Sequence, residues 1–237
     1  MPEGQEFESF WQGLSKGFLG ACNIWGLGMF LQMMSYAALA RELGWELGAI
    51  LASTYLVWGL PGQIAMVDLT AAGASLFTVG IAVAMANARM AAMTVSSITL
   101  LPAKTFLGRL LMAQAIGITL WLYTREQLSA LPLQARRARF IGFALLMFIA
   151  AGLGNILGYT SQSILPEPVY RLLVYLGPVF LLLVISAARQ KMYRLSVLIG
   201  AVFCIVLTPF IGSVAVIFAG IFGGSLSYIL ARKSANG

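Results

Sequence analysis

The sequence predicts an all-α polytopic membrane protein of about seven or eight transmembrane segments, several of them short or broken. Three observations predict it. The 237 residues are 60% hydrophobic and 10% charged, with mean hydropathy +0.89, whereas a soluble domain carries roughly 25% charged residues. Uncharged runs such as 17–40 and 140–165 are long enough to cross about 30 Å of hydrocarbon. The basic residues fall between the apolar runs, as they do in cytoplasmic loops beside anionic lipid.

Each element follows in order. Residues 1–16 are polar but carry Phe7, Phe10, Trp11 and Leu14 at spacings of three and four, which predicts a short interfacial amphipathic helix. No basic stretch precedes the first span, and Glu3, Glu6 and Glu8 do, so a cleaved signal peptide is not expected. The first span, 17–40, has Gly20, Gly26 and Gly28 for close helix packing and Asn23 and Gln32 as polar members. A second span, 47–67, is expected to break at Pro61-Gly62, because proline removes a backbone donor. Asp68 then opens a span, 69–88, rich in Gly, Ala, Ser and Thr and so suited to packing by protein. Residues 90–103 and 110–124 are short segments, the second followed by Arg125 and Glu126.

The connector 131–139 holds Arg136, Arg137 and Arg139 and is placed in the cytoplasm by the positive-inside rule. A full span, 140–165, contains Gly154 and Gly158 in GxxxG spacing. The next, 172–188, returns to a second basic loop at Arg189, Lys191 and Arg194. Residues 195–231 are uncharged but expected to break at Pro209 and Gly212, and 232–237 form a cytoplasmic tail opened by Arg232 and Lys233. The expected organisation is one transmembrane transporter domain, 17–231, with two halves, 17–124 and 140–231, of similar hydropathy. Paired segments interrupted by Gly and Pro are the pattern of inverted-repeat transporters.

Composition also excludes function classes. The chain has no histidine, the commonest general base and zinc ligand. Its two cysteines, Cys22 and Cys204, lie in separate apolar runs and make no metal or redox motif. No Gly-x-x-x-x-Gly-Lys-Ser/Thr stretch is present, so energy is expected from a gradient or a partner. The net charge of +7 sits between apolar runs rather than in a tail that binds nucleic acid. The chain is expected to be no enzyme, and no cofactor or metal is expected.

The polar residues inside apolar runs are the candidates for a substrate or coupling-ion pathway. Asp68 is a carboxylate between two such runs, with a proton site and a helix-start acid as its two readings. Arg89 is read as a partner of Asp68, as a topology anchor that snorkels to an interface, or as a clamp for a substrate carboxylate. Asn87, beside it, is harder to explain by anchoring. Gln63 lies at a break, where freed backbone groups can bind a zwitterion. Asn23, Trp58 and Glu126 complete the candidates. Trp58 would line an apolar side-chain pocket, and Glu126 would pair with Arg125 in solvent unless it has a coupling role.

The order of these motifs resembles the AzlC-type branched-chain amino acid permease family. The resemblance rests on Trp58-Gly-Leu-Pro-Gly-Gln63, a small-residue span, Asn87-Ala-Arg89, and Tyr123-Thr-Arg-Glu126, and it runs from about Gly13 to Arg232. Gln63, Asn87 and Arg89 match the family pattern; Pro61-Gly62 replace small residues, and Arg125 replaces an acid. The resemblance implies a multi-pass cell (inner) membrane component that exports branched-chain amino acids with a small AzlD-type membrane subunit. The alternative is a channel or scaffold subunit, with Gly154/Gly158 and Gly220/Gly224 as intersubunit faces and a homo-oligomer as one form of it.

Overall fold

The computed structural model describes residues 9–102, 105–175, 179, 191–211 and 215–235, and no strand occurs among the described residues. Two compact units form, 1–177 and 178–237. The first contains α1 (Phe10–Ala21), α2 (Ile24–Glu42), α3 (Leu47–Val57), α4 (Leu60–Ala71), α5 (Leu76–Ile98), α6 (Phe106–Ala115), α7 (Ile118–Tyr123) and α8 (Leu133–Ile164). A π-helical turn, Thr124–Leu128, extends α7, and residues 167–175 are helical. The second unit contains α9 (Lys191–Ile211) and α10 (Ala215–Ala235).

The first predicted span is two helices. Asn23 stops α1 and starts α2, its amide donating to the Gly20 carbonyl at 2.8 Å and accepting from the Trp25 amide N–H at 2.9 Å. This is a capping arrangement, since a side-chain oxygen satisfies an orphan donor of the first turn. The two helices bend by 63° there, and Cys22 lies exposed in the turn. The aromatic N-terminal segment joins the chain at α1, which starts at Phe10; Phe7 lies outside the described residues.

The second predicted span also divides, but not because of proline. Trp58 takes a left-handed conformation, φ 43°, and Gly59 follows as the N-cap of α4. Pro61 then sits in the first turn, where its missing N–H has no intrahelical partner to lose. Asp68 falls in the last turn of α4, not at a helix start, and Ser75 caps α5 instead, accepting from the Thr78 N–H. The favourable N-terminal dipole reading of Asp68 is therefore wrong, because a helix C-terminus repels an acid.

The 32-residue α8 runs about 48 Å and is the spine of the first unit. Its glycines let backbones touch. A Cβ on Gly142 would meet the Leu14 carbonyl of α1, and one on Gly154 or Gly158 would meet the Phe30 or Met34 carbonyl of α2. Gly154 and Gly158 are thus consumed inside the chain, which removes them as an intersubunit face. Arg41 of α2 donates to the Tyr159 carbonyl and the Ser163 hydroxyl and lies over the Tyr159 ring. The stretch 167–175 is tied on by Tyr170 donating to Ala38 O and Ser35 donating to Val174 O. Arg136, read from sequence as a topology charge, donates to the carbonyls of Leu131, Ser129 and Leu100, closing the ends of the π-turn and α5.

In the second unit α9 and α10 pack together, with Phe203 stacked on Phe222 at 5.7 Å between centroids. Pro209 lies inside α9, in its last described turn, so the helix does not break at the proline. Gly212, Lys104 and Arg189 lie outside the described residues. Two helices, Leu76–Ile98 and Leu133–Ile164, are long and apolar enough to cross a membrane, and up to four spans result if each bent pair counts as one. The second bent pair is α6 with α7 and its π-turn, folded back by 110°.

Candidate functional site

Two helix breaks face each other in the first unit. One separates α3 from α4 at Trp58–Gly59; the other separates α6 from α7 at Ile116–Gly117. A break strands backbone carbonyls, which then need partners from outside their own helix. Here each break satisfies the other. Gln114 of α6 donates to the carbonyls of Tyr55 and Leu56 at 2.9 and 3.0 Å, and the Trp58 indole donates to the Ala115 carbonyl at 3.0 Å. Trp58 also packs against Phe148 of α8, the rings tilted by 45° with 4.2 Å between centroids.

Beside the first break lies a buried polar cluster. Thr54 (α3), Gln63 (α4) and Asn155 (α8) are each fully buried. Gln63 Nε2 and Asn155 Nδ2 both donate to Thr54 Oγ1, each at 2.9 Å. Thr54 Oγ1 turns its own proton towards Met33 Sδ, 4.0 Å away. The carboxamide oxygens Gln63 Oε1 and Asn155 Oδ1 accept nothing. One turn away on the same helices, Val67, Ile50 and Ala151 belong to an apolar core with Met33 and Tyr36.

Asn87 comes to the break from α5. A Cβ on either Gly59 or Gly62 would strike its carboxamide, so those two glycines are what admit it. Its Oδ1 is buried and also accepts nothing. The geometry thus brings together Gln63, Asn87, Trp58, Pro61 and Gly62 from the sequence candidates.

The other candidates lie elsewhere. Arg89 is two residues from Asn87, about 200° around the helix, and is exposed. Asp68 is exposed at the end of α4, away from the buried cluster. Asn23 is exposed and occupied in capping, and Glu126 is exposed in the π-turn. Within that turn it is Thr124 that is buried, with an Oγ1 that lacks a partner. Short π-helical turns inside helices occur frequently at functional sites.

Sequence reasoning missed Thr54, Asn155 and Gln114. Thr54 is hidden in an apolar helix where a threonine can bond to its own backbone. Asn155 stands between Gly154 and Gly158, which draw attention to packing, and the usable signal was a lone carboxamide mid-span.

No curated protein and no solved structure matches the chain. A family model described as AzlC protein matches residues 25–165, more than half of the chain. That region takes in both breaks, the Thr54–Gln63–Asn155 cluster and Asn87, and with it the chain belongs to the AzlC family.

Proposed function

We propose that the chain is the membrane component of a gradient-driven exporter of branched-chain, hydrophobic amino acids, multi-pass in the cell (inner) membrane and working with a small AzlD-type subunit. The AzlC family is associated with branched-chain amino acid transport. One observation carries the reading: two broken helices stitched to each other beside buried, unpaired carboxamides. Broken helices near the membrane midplane are where secondary transporters hold substrate and ion, because freed backbone groups and small polar side chains meet there. Gln63 and Asn87 are the polar lining in this reading, and Trp58 and Phe148 offer an apolar surface for the substrate side chain. Asp68, at the far end of the helix that carries Gln63, is the carboxylate assigned to proton coupling. The reading includes about seven or eight segments arranged as inverted repeats. It makes the chain a carrier rather than an enzyme.

The test is accumulation of labelled leucine in inside-out vesicles, with the chain expressed alone and then with the small subunit. Accumulation that needs both a proton gradient and the subunit supports the two-component exporter. Accumulation by the chain alone would remove the subunit from the proposal. No accumulation of any branched-chain amino acid in either case would refute the substrate assignment.

A further inference from the structure

We propose that the exposed face of α5 carrying Arg89 is the docking surface for a transmembrane helix of the small partner subunit, and that a carboxylate of that helix, near mid-membrane, holds the guanidinium; this rests on the proposed partner and on α5 lying across the membrane. Only 6% of the apolar window of α5 is buried, against 56% for α8. Lipid can cover the apolar part of such a face, but not a charge at its centre. Arg89 is the fourteenth of the 23 residues of α5, about 3 Å from the middle of the helix and about 13 Å from its nearer end. An extended arginine reaches about 7 Å, too short to snorkel to either interface. A charged side chain at that depth almost always faces protein or a water-filled cavity and finds a partner. Arg89 is exposed, and among the described residues it makes no hydrogen bond or ion pair.

Among the described residues no carboxylate stands at the depth of Arg89. Gly62 of α4 is level with Asn87 of α5, since a Cβ on it would strike the Asn87 carboxamide. From that level Asp68 is six residues towards the turn that joins the two helices, and Arg89 is two residues away from it. The two charges are therefore about 12 Å apart along the helices before the gap between them is crossed, which sets aside their pairing. Glu126 lies in the π-turn, whose end Arg136 ties to Leu100, eleven residues beyond Arg89. Glu42, Glu46 and Glu167 stand at helix ends. Residues 178–237 contain no Asp or Glu. A second copy of the chain does not supply the charge either. A two-fold axis along the membrane normal keeps every residue at its own depth, so Arg89 would meet its own counterpart and like charges would repel. The counter-charge therefore comes from a different polypeptide.

The surroundings of Arg89 suit a helix better than water. Ile81, Met85, Ala88 and Ala92 lie within about 100° of it around α5, and all four are exposed and apolar. Ala88 and Ala92 are small enough to let another backbone come close beside the charge. The test uses the full chain purified in detergent, titrated with the purified small subunit carrying a fluorophore, with no amino acid present and binding followed by fluorescence anisotropy. Arg89→Leu should weaken binding at least tenfold, whereas Arg89→Lys, which keeps the charge, should stay within threefold. Ala88→Phe should also weaken it at least tenfold, by holding the incoming helix away. Leu153→Phe, on the exposed side of α8, should leave it unchanged. Neutralising the Asp and Glu residues within the spans of the small subunit, one at a time to Asn or Gln, should reproduce the loss in one case. That substitution combined with Arg89→Leu should then lose no more than either alone.

This pattern establishes the docking surface even if leucine is not transported, in which case the substrate reading fails by itself. Binding as tight as wild type in a folded Arg89→Leu overturns the inference and leaves the two-subunit reading standing. A small subunit that binds but has no Asp or Glu within its spans overturns it in the same way. No binding to the wild-type chain overturns the inference and the proposed partner together. If Arg89→Leu does not fold, Ala88→Phe and the neutralised subunit variants, tested against the wild-type chain, decide the matter.

Discussion

The buried cluster makes an asymmetric prediction about stability. Thr54 is its hub, and Gln63 and Asn155 are its spokes. Thr54→Val keeps the shape and removes the acceptor from both amide nitrogens at once. Each buried polar group left unpaired costs about 1–3 kcal/mol, so the variant should lose about 2–6 kcal/mol. Asn155→Leu is similar in size and does something different. It deletes one hydrogen bond, about 0.5–1.5 kcal/mol, and with it a buried oxygen that already lacks a partner, which returns about 1–3 kcal/mol. Thr54 still accepts from Gln63, so no donor is orphaned. The expected result runs from about 0.5 kcal/mol less stable to about 2.5 kcal/mol more stable. The assay is reversible denaturant unfolding of the purified chain in detergent, followed by tryptophan fluorescence. A Thr54→Val variant no less stable than Asn155→Leu would refute the hub geometry, and with it the argument that the carboxamide oxygens are free.

Four further outcomes follow from the same structure. Gln114→Met should lose about 1–3 kcal/mol, because two hydrogen bonds at an exposed site, to the Tyr55 and Leu56 carbonyls, go at about 0.5–1.5 kcal/mol each, as an unfolding midpoint will show. Gly158→Ala should cost about 1–3 kcal/mol by forcing α2 and α8 apart at Met34, whereas Gly48→Ala, where a Cβ meets nothing, should stay within about 0.5 kcal/mol of wild type in the same unfolding assay. Arg89→Lys should keep leucine transport within twofold in vesicles, since the exposed guanidinium faces away from Asn87; a loss of tenfold or more would restore the carboxylate clamp. Asp68→Asn should express and fold as the wild type but lose the dependence of leucine accumulation on the proton gradient; an unchanged dependence would remove Asp68 from coupling.

Much of the class and part of the site were legible in the sequence. Low charge and long apolar runs announced the membrane protein, and the polar residues that a span does not need pointed to Gln63 and Asn87. The break was visible, but its cause was misread. Pro61 attracts notice, yet at a helix start it costs nothing; the turn is made by Trp58 in a left-handed conformation, a property of backbone geometry that no residue type advertises. The bend at Cys22–Asn23 and the break at Ile116–Gly117 stayed hidden, because uncharged residues continue through both. Placing Asp68 at a helix start followed from ending the second apolar run at Val67, where the charge interrupts it, when α4 carries on to Ala71. Gly154 and Gly158 were correctly marked as close-packing positions, but composition cannot say whether the partner is another subunit or α2 of the same chain. Asn155 was passed over between them for the same reason.

The central claim is that the buried carboxamides beside the stitched breaks are there for binding rather than for stability. Equilibrium binding of labelled leucine to purified Gln63→Leu, compared with wild type under conditions where both are folded, tests it most directly. The account predicts a chain about as stable as the wild type, for the same reason as Asn155→Leu, with leucine binding weakened at least tenfold. Undiminished binding by a folded Gln63→Leu would contradict the claim and make the cluster a feature of packing alone.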